Sequence, residues 1–159
     1  MNELIKILKQ NGRESLENIA KLLDSSVEVV ASQITELEDT GIIRGYQAIV
    51  NEEKLDNGNV TAIIEVKVTP EREGGFNEIA SRIGKFPEVS SMYLMSGTYD
   101  LMLFVEGDSL NKVAAFVSEK LSPIPGVTGT GTHFKLKTYK HHGVIMETED
   151  EYGRLKISP

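Results

Sequence analysis

The stretch from Pro87 to Glu106 constrains the fold more than any other part of the chain. It reads PEVSSMYLMSGTYDLMLFVE, two apolar runs of strand length joined by residues that are typical of a hairpin turn. Both runs are apolar at successive positions, so each places apolar side chains on both faces of a sheet. Strands of this kind are covered on both faces. The pattern therefore predicts the centre of a sheet with helices on one face and a further layer, such as another chain, on the other.

Composition and charge narrow the class of protein. The chain has 159 residues, of which 40% are hydrophobic, and it contains no cysteine, which excludes disulfides and thiolate metal sites. No apolar run approaches the length of a membrane span, and we expect a cytoplasmic protein. The net charge is −7, and acidic residues outnumber basic ones in residues 1–50, so non-specific attraction to nucleic acid should be weak.

The first 50 residues have the spacing of a helix-turn-helix. Apolar residues recur at helical intervals over 2–9, 16–23 and 27–37. Ser15 is expected to cap the second helix, and Asp24-Ser25-Ser26 to end it and cap the third. The run from Ile42 to Val50 predicts a short β-ribbon, which completes a winged helix-turn-helix. A small helical bundle that binds only protein, or nothing, has the same pattern.

After residue 60 the chain alternates between strand and helix patterns. Val60 to Val68 predicts a strand, Gly75 to Lys85 a helix, and Val127 to Tyr139 the last strand. A second helix begins at Ser109, and its expected inward residues are Leu110, Val113, Ala114, Val117 and Leu121. The sequence FPEVS at 86–90 recurs as IPGVT at 124–128. Two copies of strand–helix–strand predict a ferredoxin-like βαββαβ domain, with both helices on one face of the sheet.

The α+β chain therefore divides into four predicted parts. Residues 1–50 form the winged helix-turn-helix, 51–59 a linker, 60–140 the ferredoxin-like domain and 141–159 a C-terminal extension. The extension either adds a strand at Gly143–Glu147, to a sheet edge or to a neighbouring subunit, or is only a charged tail. The uncovered apolar face of the hairpin predicts a homodimer that packs sheet against sheet.

Segments of both halves together resemble the Lrp/AsnC (feast/famine) transcription regulators over residues 1–140. In the first half the matching segments are Asn11-Gly12-Arg13, Glu17-Asn18-Ile19-Ala20, and Leu37-Glu38-Asp39-Thr40-Gly41-Ile42-Ile43 leading into Tyr46-Gln47-Ala48. In the second half they are Pro87-Glu88-Val89, Gly97-Thr98-Tyr99-Asp100-Leu101 and Pro125-Gly126-Val127. The resemblance implies an N-terminal DNA-binding domain and a C-terminal domain that dimerises, often assembles to octamers and binds amino acids.

The third helix departs from that family, whose members usually carry arginines there. Between Lys21 and Arg44 there is no Lys or Arg, and the outward residues include Glu28 and Glu36. Serine and glutamine still read base edges, and glutamate accepts from cytosine N4. For Glu36 a solvated surface role is favoured. We expect double-stranded DNA, at a pseudo-palindromic site, to be contacted by Arg13, Ser25, Ser26, Glu28, Ser32, Gln33 and Arg44.

The candidate effector site is the hairpin turn, Gly97, Thr98, Tyr99 and Asp100. An α-amino acid needs an acceptor for its ammonium and N–H donors for its carboxylate, and a glycine-containing turn beside an aspartate offers both. A turn that serves only the fold has the same composition. The Thr128–Thr132 run is a weaker candidate for the same site.

No catalytic, metal or cofactor site is expected. The three histidines, His133, His141 and His142, lack the spacing of a metal site, and no nucleophile elbow or phosphate loop is present. Siroheme decarboxylases resemble this two-domain family, but they need arginine and histidine together, and none of the arginines beyond residue 60 lies beside a histidine. Because the third helix is acidic, a regulator that binds protein rather than DNA remains an alternative.

Overall fold

The computed structural model describes residues 3–55, 58–69 and 75–146. Residues 147–159, most of the predicted C-terminal extension, and residues 56–57 of the predicted linker lie outside the described residues. The chain forms two compact units, which are divided between Val50 and Asn51. None of the described helices is long and apolar enough to cross a membrane.

The first unit contains three helices, α1 (Glu3–Gln10), α2 (Leu16–Leu22) and α3 (Val27–Asp39). The predicted N-caps are confirmed, because the Ser15 hydroxyl accepts from the Asn18 amide at 3.2 Å and the Ser26 hydroxyl accepts from the Val29 amide at 3.3 Å. The three helices enclose a small apolar core, whose buried members are Leu4, Ile19, Ala20, Val30 and Leu37.

The predicted β-ribbon after α3 is wrong, since residues 42–50 contain no strand. The segment packs back onto its own unit instead. Ile43 donates its amide to the Leu37 carbonyl at 2.9 Å and contacts the core, and the Tyr46 hydroxyl donates to Glu38 Oε1 at 2.9 Å. A strand needs a neighbouring strand for its N–H and C=O groups, and the described part of this unit offers none.

The second unit is built on a four-stranded antiparallel sheet with the order β2-β3-β1-β4. Its elements, in chain order, are β1 (Val60–Val68), α4 (Gly75–Ile83), β2 (Val89–Leu94), β3 (Leu101–Gly107), α5 (Leu110–Ala115) with a π-helix (Phe116–Leu121), and β4 (Val127–Phe134). This is the predicted ferredoxin-like βαββαβ arrangement. The central hairpin is confirmed, with Met92 opposite Leu103 and Leu94 opposite Leu101.

One face of the sheet and the helices enclose the core of the second unit. The buried members of this core are Ala62, Ile64, Val66, Val68, Ile79, Ile83, Leu101, Leu103, Val105, Val113, Phe116 and Leu121. The internal repeat is visible in the backbone: the Val89 amide donates to the Phe86 carbonyl at 3.1 Å, and the Val127 amide donates to the Ile124 carbonyl at 3.0 Å. Both strand entries therefore use the same turn.

Two details of the second unit differ from the prediction. Leu110 is 53% exposed and Ala114 is also exposed, whereas Phe116 is buried. A π-helix follows these residues, in which the Ser122 amide donates to the Val117 carbonyl at 2.8 Å, and its buried residues Phe116 and Leu121 are five positions apart. The wider turn changes the interval between inward residues, which an α-helical period cannot reproduce.

The last predicted strand is also shorter than expected. β4 ends at Phe134, which lies opposite Ala62, and residues 135–138 leave the sheet. A small separate hairpin follows, in which β5 (Lys140–His141) pairs with β6 (Val144–Ile145). The start of the predicted extension thus pairs within its own chain, and Asn51 Nδ2 donates to the Met146 carbonyl beside it at 2.8 Å.

Candidate functional site

The start of α3 is fixed by its own side chains. A tight turn precedes it, in which Asp24 has a φ of 48° and the Ser25 amide donates to the Ala20 carbonyl at 2.9 Å. The carboxylate of Glu28 accepts from its own backbone N–H and from the Ser26 hydroxyl, and these hydrogen bonds lower the pKa of Glu28 below its ordinary value of 4.5. The helix therefore begins with a fixed cap and a carboxylate that is ionised at neutral pH.

The outer face of α3 is open to solvent. Val29, Ser32, Gln33 and Glu36 are all exposed, at the helical spacing of one face, opposite the buried Val30 and Leu37. The side chains of Ser32 and Gln33 make no hydrogen bond with any described residue. Their hydroxyl and amide groups are thus available to an external donor or acceptor, but the helix brings no positive charge with them.

The two predicted basic contacts lie apart from this face. Arg13 is exposed in the turn after α1, where its backbone amide donates to Asn11 Oδ1 at 3.1 Å. Gly41, with a φ of +72°, ends α3, and a Cβ there would lie 3.3 Å from Arg44 Nη1. Arg44 therefore packs over the C-terminal end of α3, and a helix of 13 residues is about 20 Å long. The structure does not bring Arg44 to the serines at the helix start.

The hairpin turn is held mainly by Asp100. Its amide donates to the Val66 carbonyl at 3.0 Å, its Oδ2 accepts from the Val68 amide at 2.8 Å, and its carbonyl accepts from the Met95 amide at 2.8 Å. Gly97 has a φ of +145°, which favours glycine, and a Cβ there would meet no atom within 4 Å. One carboxylate oxygen of Asp100 thus serves the end of β1, and no described residue donates to the other oxygen.

The two predicted effector segments meet at the end of β1. Lys67 Nζ donates to the Thr98 carbonyl at 3.1 Å, and the Thr128 hydroxyl donates to the Lys67 carbonyl at 3.2 Å. A register shift between β1 and β4 at Lys67 and Val68 opens the sheet at this point. The sequence analysis did not single out Lys67. The available signal was that Lys67 is the basic residue on the outward-facing set of a strictly alternating strand.

The sheet face opposite the helices, which we call the open face, carries an apolar patch beside the polar side chains of Glu65, Lys67 and His133. In the strand registers Ile63 lies opposite Phe104, and Tyr93 lies opposite Met102, so these four side chains share that face. The Tyr93 and Phe104 rings pack edge to face at 6.1 Å, yet Tyr93 is 54% exposed. Among the described residues, the helices of this unit pack only on the other face.

The three histidines lie in two separate places in the second unit. His133 Nε2 lies 3.7 Å from Glu65 Oε1 on the open face, and the rings of His141 and His142 pack at 4.2 Å in the small hairpin. Within the described ranges no three His, Cys, Asp or Glu side chains are grouped as metal ligands.

Comparison with known proteins decides the family. The family model described as the Lrp/AsnC ligand binding domain matches residues 61–145, more than half of the chain. The chain belongs to the Lrp/AsnC family. The resemblance inferred from the sequence is confirmed, and the matched range includes the first five residues of the predicted extension.

Several Lrp/AsnC relatives match nearly the whole chain. An uncharacterized HTH-type transcriptional regulator of Bacillus subtilis (strain 168), YugG, is 48% identical over 99% of this chain and 95% of its own length. The HTH-type transcriptional regulator FL11 of Pyrococcus horikoshii is 32% identical over 87% of this chain and 88% of its own. These relatives are named as regulators and not as enzymes.

A solved Lrp/AsnC-like structure has the same fold. A transcriptional regulator of Neisseria meningitidis, crystallised as a complex with L-Met, superposes with a TM-score of 0.70 at 26% identity, covering 89% of this chain and 93% of its own. The two-domain α+β architecture predicted from the sequence is thereby confirmed.

Proposed function

We propose that this Lrp/AsnC protein is a cytoplasmic, dimeric, DNA-binding transcriptional regulator whose activity is set by an amino acid. The observation that carries the proposal is the open outer face of α3, a helix whose start is fixed by the Ser26 cap and by the tight turn before it. A capped second helix with exposed polar side chains is the element that helix-turn-helix proteins insert into the major groove.

The proposed DNA contacts fall into two classes. Ser25, Ser26, Ser32 and Gln33 face base edges, with Glu28 as an acceptor for cytosine N4. Arg13 and Arg44 contact phosphates, which positions the helix but carries no sequence information. Because α3 itself carries no Lys or Arg, each protomer makes few phosphate contacts. The expected affinity of one half-site is therefore modest, with a shallow dependence on salt.

The dimer is proposed to form through the open face. Packing two such faces covers Tyr93, Met102 and Phe104 on both protomers, and a two-fold contact of this kind is self-complementary. It also places two copies of α3 at two half-sites, which explains the expected pseudo-palindrome. Further assembly of four dimers into an octamer is expected from the family.

The proposed effector site is the turn at Gly97, Thr98, Tyr99 and Asp100. The free oxygen of Asp100 is positioned to accept from a ligand ammonium, while its other oxygen holds Val68. The related Neisseria regulator was crystallised with L-Met, which supports an amino acid as the ligand class. A neighbouring subunit would complete the side-chain pocket.

The negative charge of α3 favours a second candidate, a regulator that binds a basic protein surface instead of DNA. Glu28 is held in its ionised form and Glu36 lies on the same exposed face. Carboxylates repel phosphates, so strong non-specific DNA binding is not expected from this helix.

Selection from a random duplex library, followed by fluorescence anisotropy, separates the two candidates. We expect a pseudo-palindromic sequence to be selected. Arg44→Ala should then weaken binding on all sequences and reduce the salt slope by about one. Gln33→Ala should change which sequences are preferred. Lys9→Ala, an exposed lysine of α1, is the control and should change neither. If no sequence is enriched and binding is only non-specific, the DNA-binding function is excluded and the protein-binding candidate stands.

A further inference from the structure

Lys67 occupies an unusual position for a surface lysine. It lies at the end of β1 with its side chain on the sheet face away from the helices, and its Nζ donates to the Thr98 carbonyl at 3.1 Å. On the neighbouring strand the residue opposite is Gly129, and a Cβ there would lie 3.8 Å from Lys67 Cβ. No side chain from β4 therefore covers this flank of the lysine.

The described residues around Lys67 do not balance its charge. The Thr98 carbonyl accepts a hydrogen bond but carries no net charge. Asp100 lies just beyond the last pair of β1 and β3, Val66 opposite Leu101, and its carboxylate accepts from the Val68 amide at 2.8 Å instead of pairing with Lys67. Glu65, two residues earlier on the same face, lies beside His133. Within the described part of the chain, no carboxylate lies within ion-pair distance of Lys67 Nζ.

The Lys67 ammonium and the free carboxylate oxygen of Asp100 therefore form no hydrogen bond with each other. Lysine has three N–H donors, of which one is used by Thr98, and Asp100 retains one oxygen without a described donor. An α-amino acid carries the complementary pair, a carboxylate and an ammonium on one carbon. Charge-assisted hydrogen bonds of this type are roughly twice as strong as neutral ones.

We propose that Lys67 binds the carboxylate of the effector, which makes a free carboxylate a requirement for binding. The inference rests on the proposed function and extends it, because backbone amides of the turn alone would donate equally well to an uncharged carbonyl. Lys67 selects amino acids and rejects their amides, which lack the charge. The ammonium of the ligand faces the free oxygen of Asp100.

The test is calorimetry on the full-length protein. The wild type is titrated with the twenty amino acids, and the one that binds is compared with its own carboxamide. We expect the free acid to bind at least tenfold more tightly than the amide. In Lys67→Met this preference should disappear through weaker binding of the acid, and in Lys67→Arg it should persist. Lys85→Met removes one exposed lysine from the same unit without touching the cluster, and should behave as wild type.

The ratio of acid to amide affinity is taken within each variant, so it does not depend on the fraction of folded protein. Circular dichroism confirms folding, and Lys67→Gln replaces Lys67→Met if the methionine variant does not fold. If the wild type prefers the acid and the uncharged variant keeps the same preference, the role of Lys67 is overturned while the effector site stands. If the wild type binds no amino acid, the effector part of the proposed function and the role of Lys67 fall together.

Discussion

Asp100 holds the hairpin turn with one carboxylate oxygen and leaves the other for the proposed ligand. Its Oδ2 accepts from the Val68 amide at 2.8 Å, at the end of a strand where no sheet partner reaches that amide. The sequence places an aspartate in the hairpin turn but does not say which donor it meets, because Val68 lies 32 residues earlier. The proposed ligand-facing role therefore belongs to the second oxygen. Asp100→Asn keeps an acceptor for the Val68 amide, so it separates this role from folding better than Asp100→Ala does.

Glu88 provides a pH dependence with a definite sign. The hydrogen bond from Lys120 is the main cause that lowers the pKa of Glu88 below its ordinary value of 4.5. A lowered pKa in the folded state means that the ionised carboxylate stabilises the fold at neutral pH, and that this contribution is lost as the pH falls below about 4.5. In Glu88→Gln we expect about 0.5–1 kcal/mol less stability at pH 7, and a difference from wild type that shrinks as the pH falls below about 4.5.

Urea denaturation at pH 7, 5, 4 and 3 measures this difference for Glu88. Glu119→Gln, an exposed carboxylate on the π-helix, is the matched control and should follow the wild type at every pH. Parallel curves for wild type and Glu88→Gln across the whole range would show that the ion pair contributes nothing.

At the scale of elements, the sequence predicted the helix caps, the strand β1 and the central hairpin. The caps Ser15 and Ser26, the alternation of β1 and the hairpin at 87–106 were all readable, because their hydrogen bonds and burial depend on near neighbours. The π-helix was not predicted, because the expected inward residues assumed an α-helical period; within it Phe116 packs edge to face against Phe86, with ring centroids 5.5 Å apart. The β-ribbon predicted for residues 42–50 was wrong because an apolar, strand-like pattern does not show whether a partner strand is present.

The candidate site shows the same division. The turn at 97–100 could be recognised from its composition. The alternation of β1 places Lys67 on the outward face, but its contact with the Thr98 carbonyl joins residues 31 positions apart and could not be predicted. No local pattern encodes that pairing.

The two copies of the internal repeat differ in the turn that leads into each strand. Gly126 occupies the position of Glu88 and has a φ of +90°, and a Cβ there would lie 2.7 Å from Ile79 Cδ1 and 3.1 Å from the Thr69 carbonyl oxygen. Gly126→Ala should therefore lose about 2 kcal/mol or more, from backbone strain and from the displacement of Ile79. Urea denaturation measures this loss.

Gly143→Ala is the control for the backbone term. Gly143 has nearly the same φ, +88°, but a Cβ there meets nothing within 4 Å. A loss of about 1 kcal/mol or less is expected from it. Equal losses in the two variants would mean that the contact with Ile79 contributes nothing.

At the scale of the whole molecule, charge and apolar surface are distributed unequally. The chain carries −7, and five basic against eight acidic side chains lie in residues 1–50. A helix-turn-helix unit of this charge is not drawn to DNA by non-specific attraction. In the proposed dimer, two such units would overcome that weakness, because the second half-site is bound at the high effective concentration that the first contact creates. DNA binding by this chain is thus expected to depend on dimerisation through the other unit.

Tyr93→Asp tests that dependence. A charge on the open face is expected to turn the dimer into a monomer, because an unpaired carboxylate buried in an apolar contact is costly. Leu94→Asp is the matched control: Leu94 is the next residue of β2, is 62% exposed and points to the helix side of the sheet. Light scattering at micromolar concentration should give a dimer or larger for the wild type and Leu94→Asp, and a monomer for Tyr93→Asp.

The monomer should also bind the selected DNA at least tenfold more weakly, since one half-site is lost. A wild-type monomer under these conditions would rule out the open face as the interface, and a monomeric Tyr93→Asp that binds DNA as tightly as wild type would show that the two units act independently.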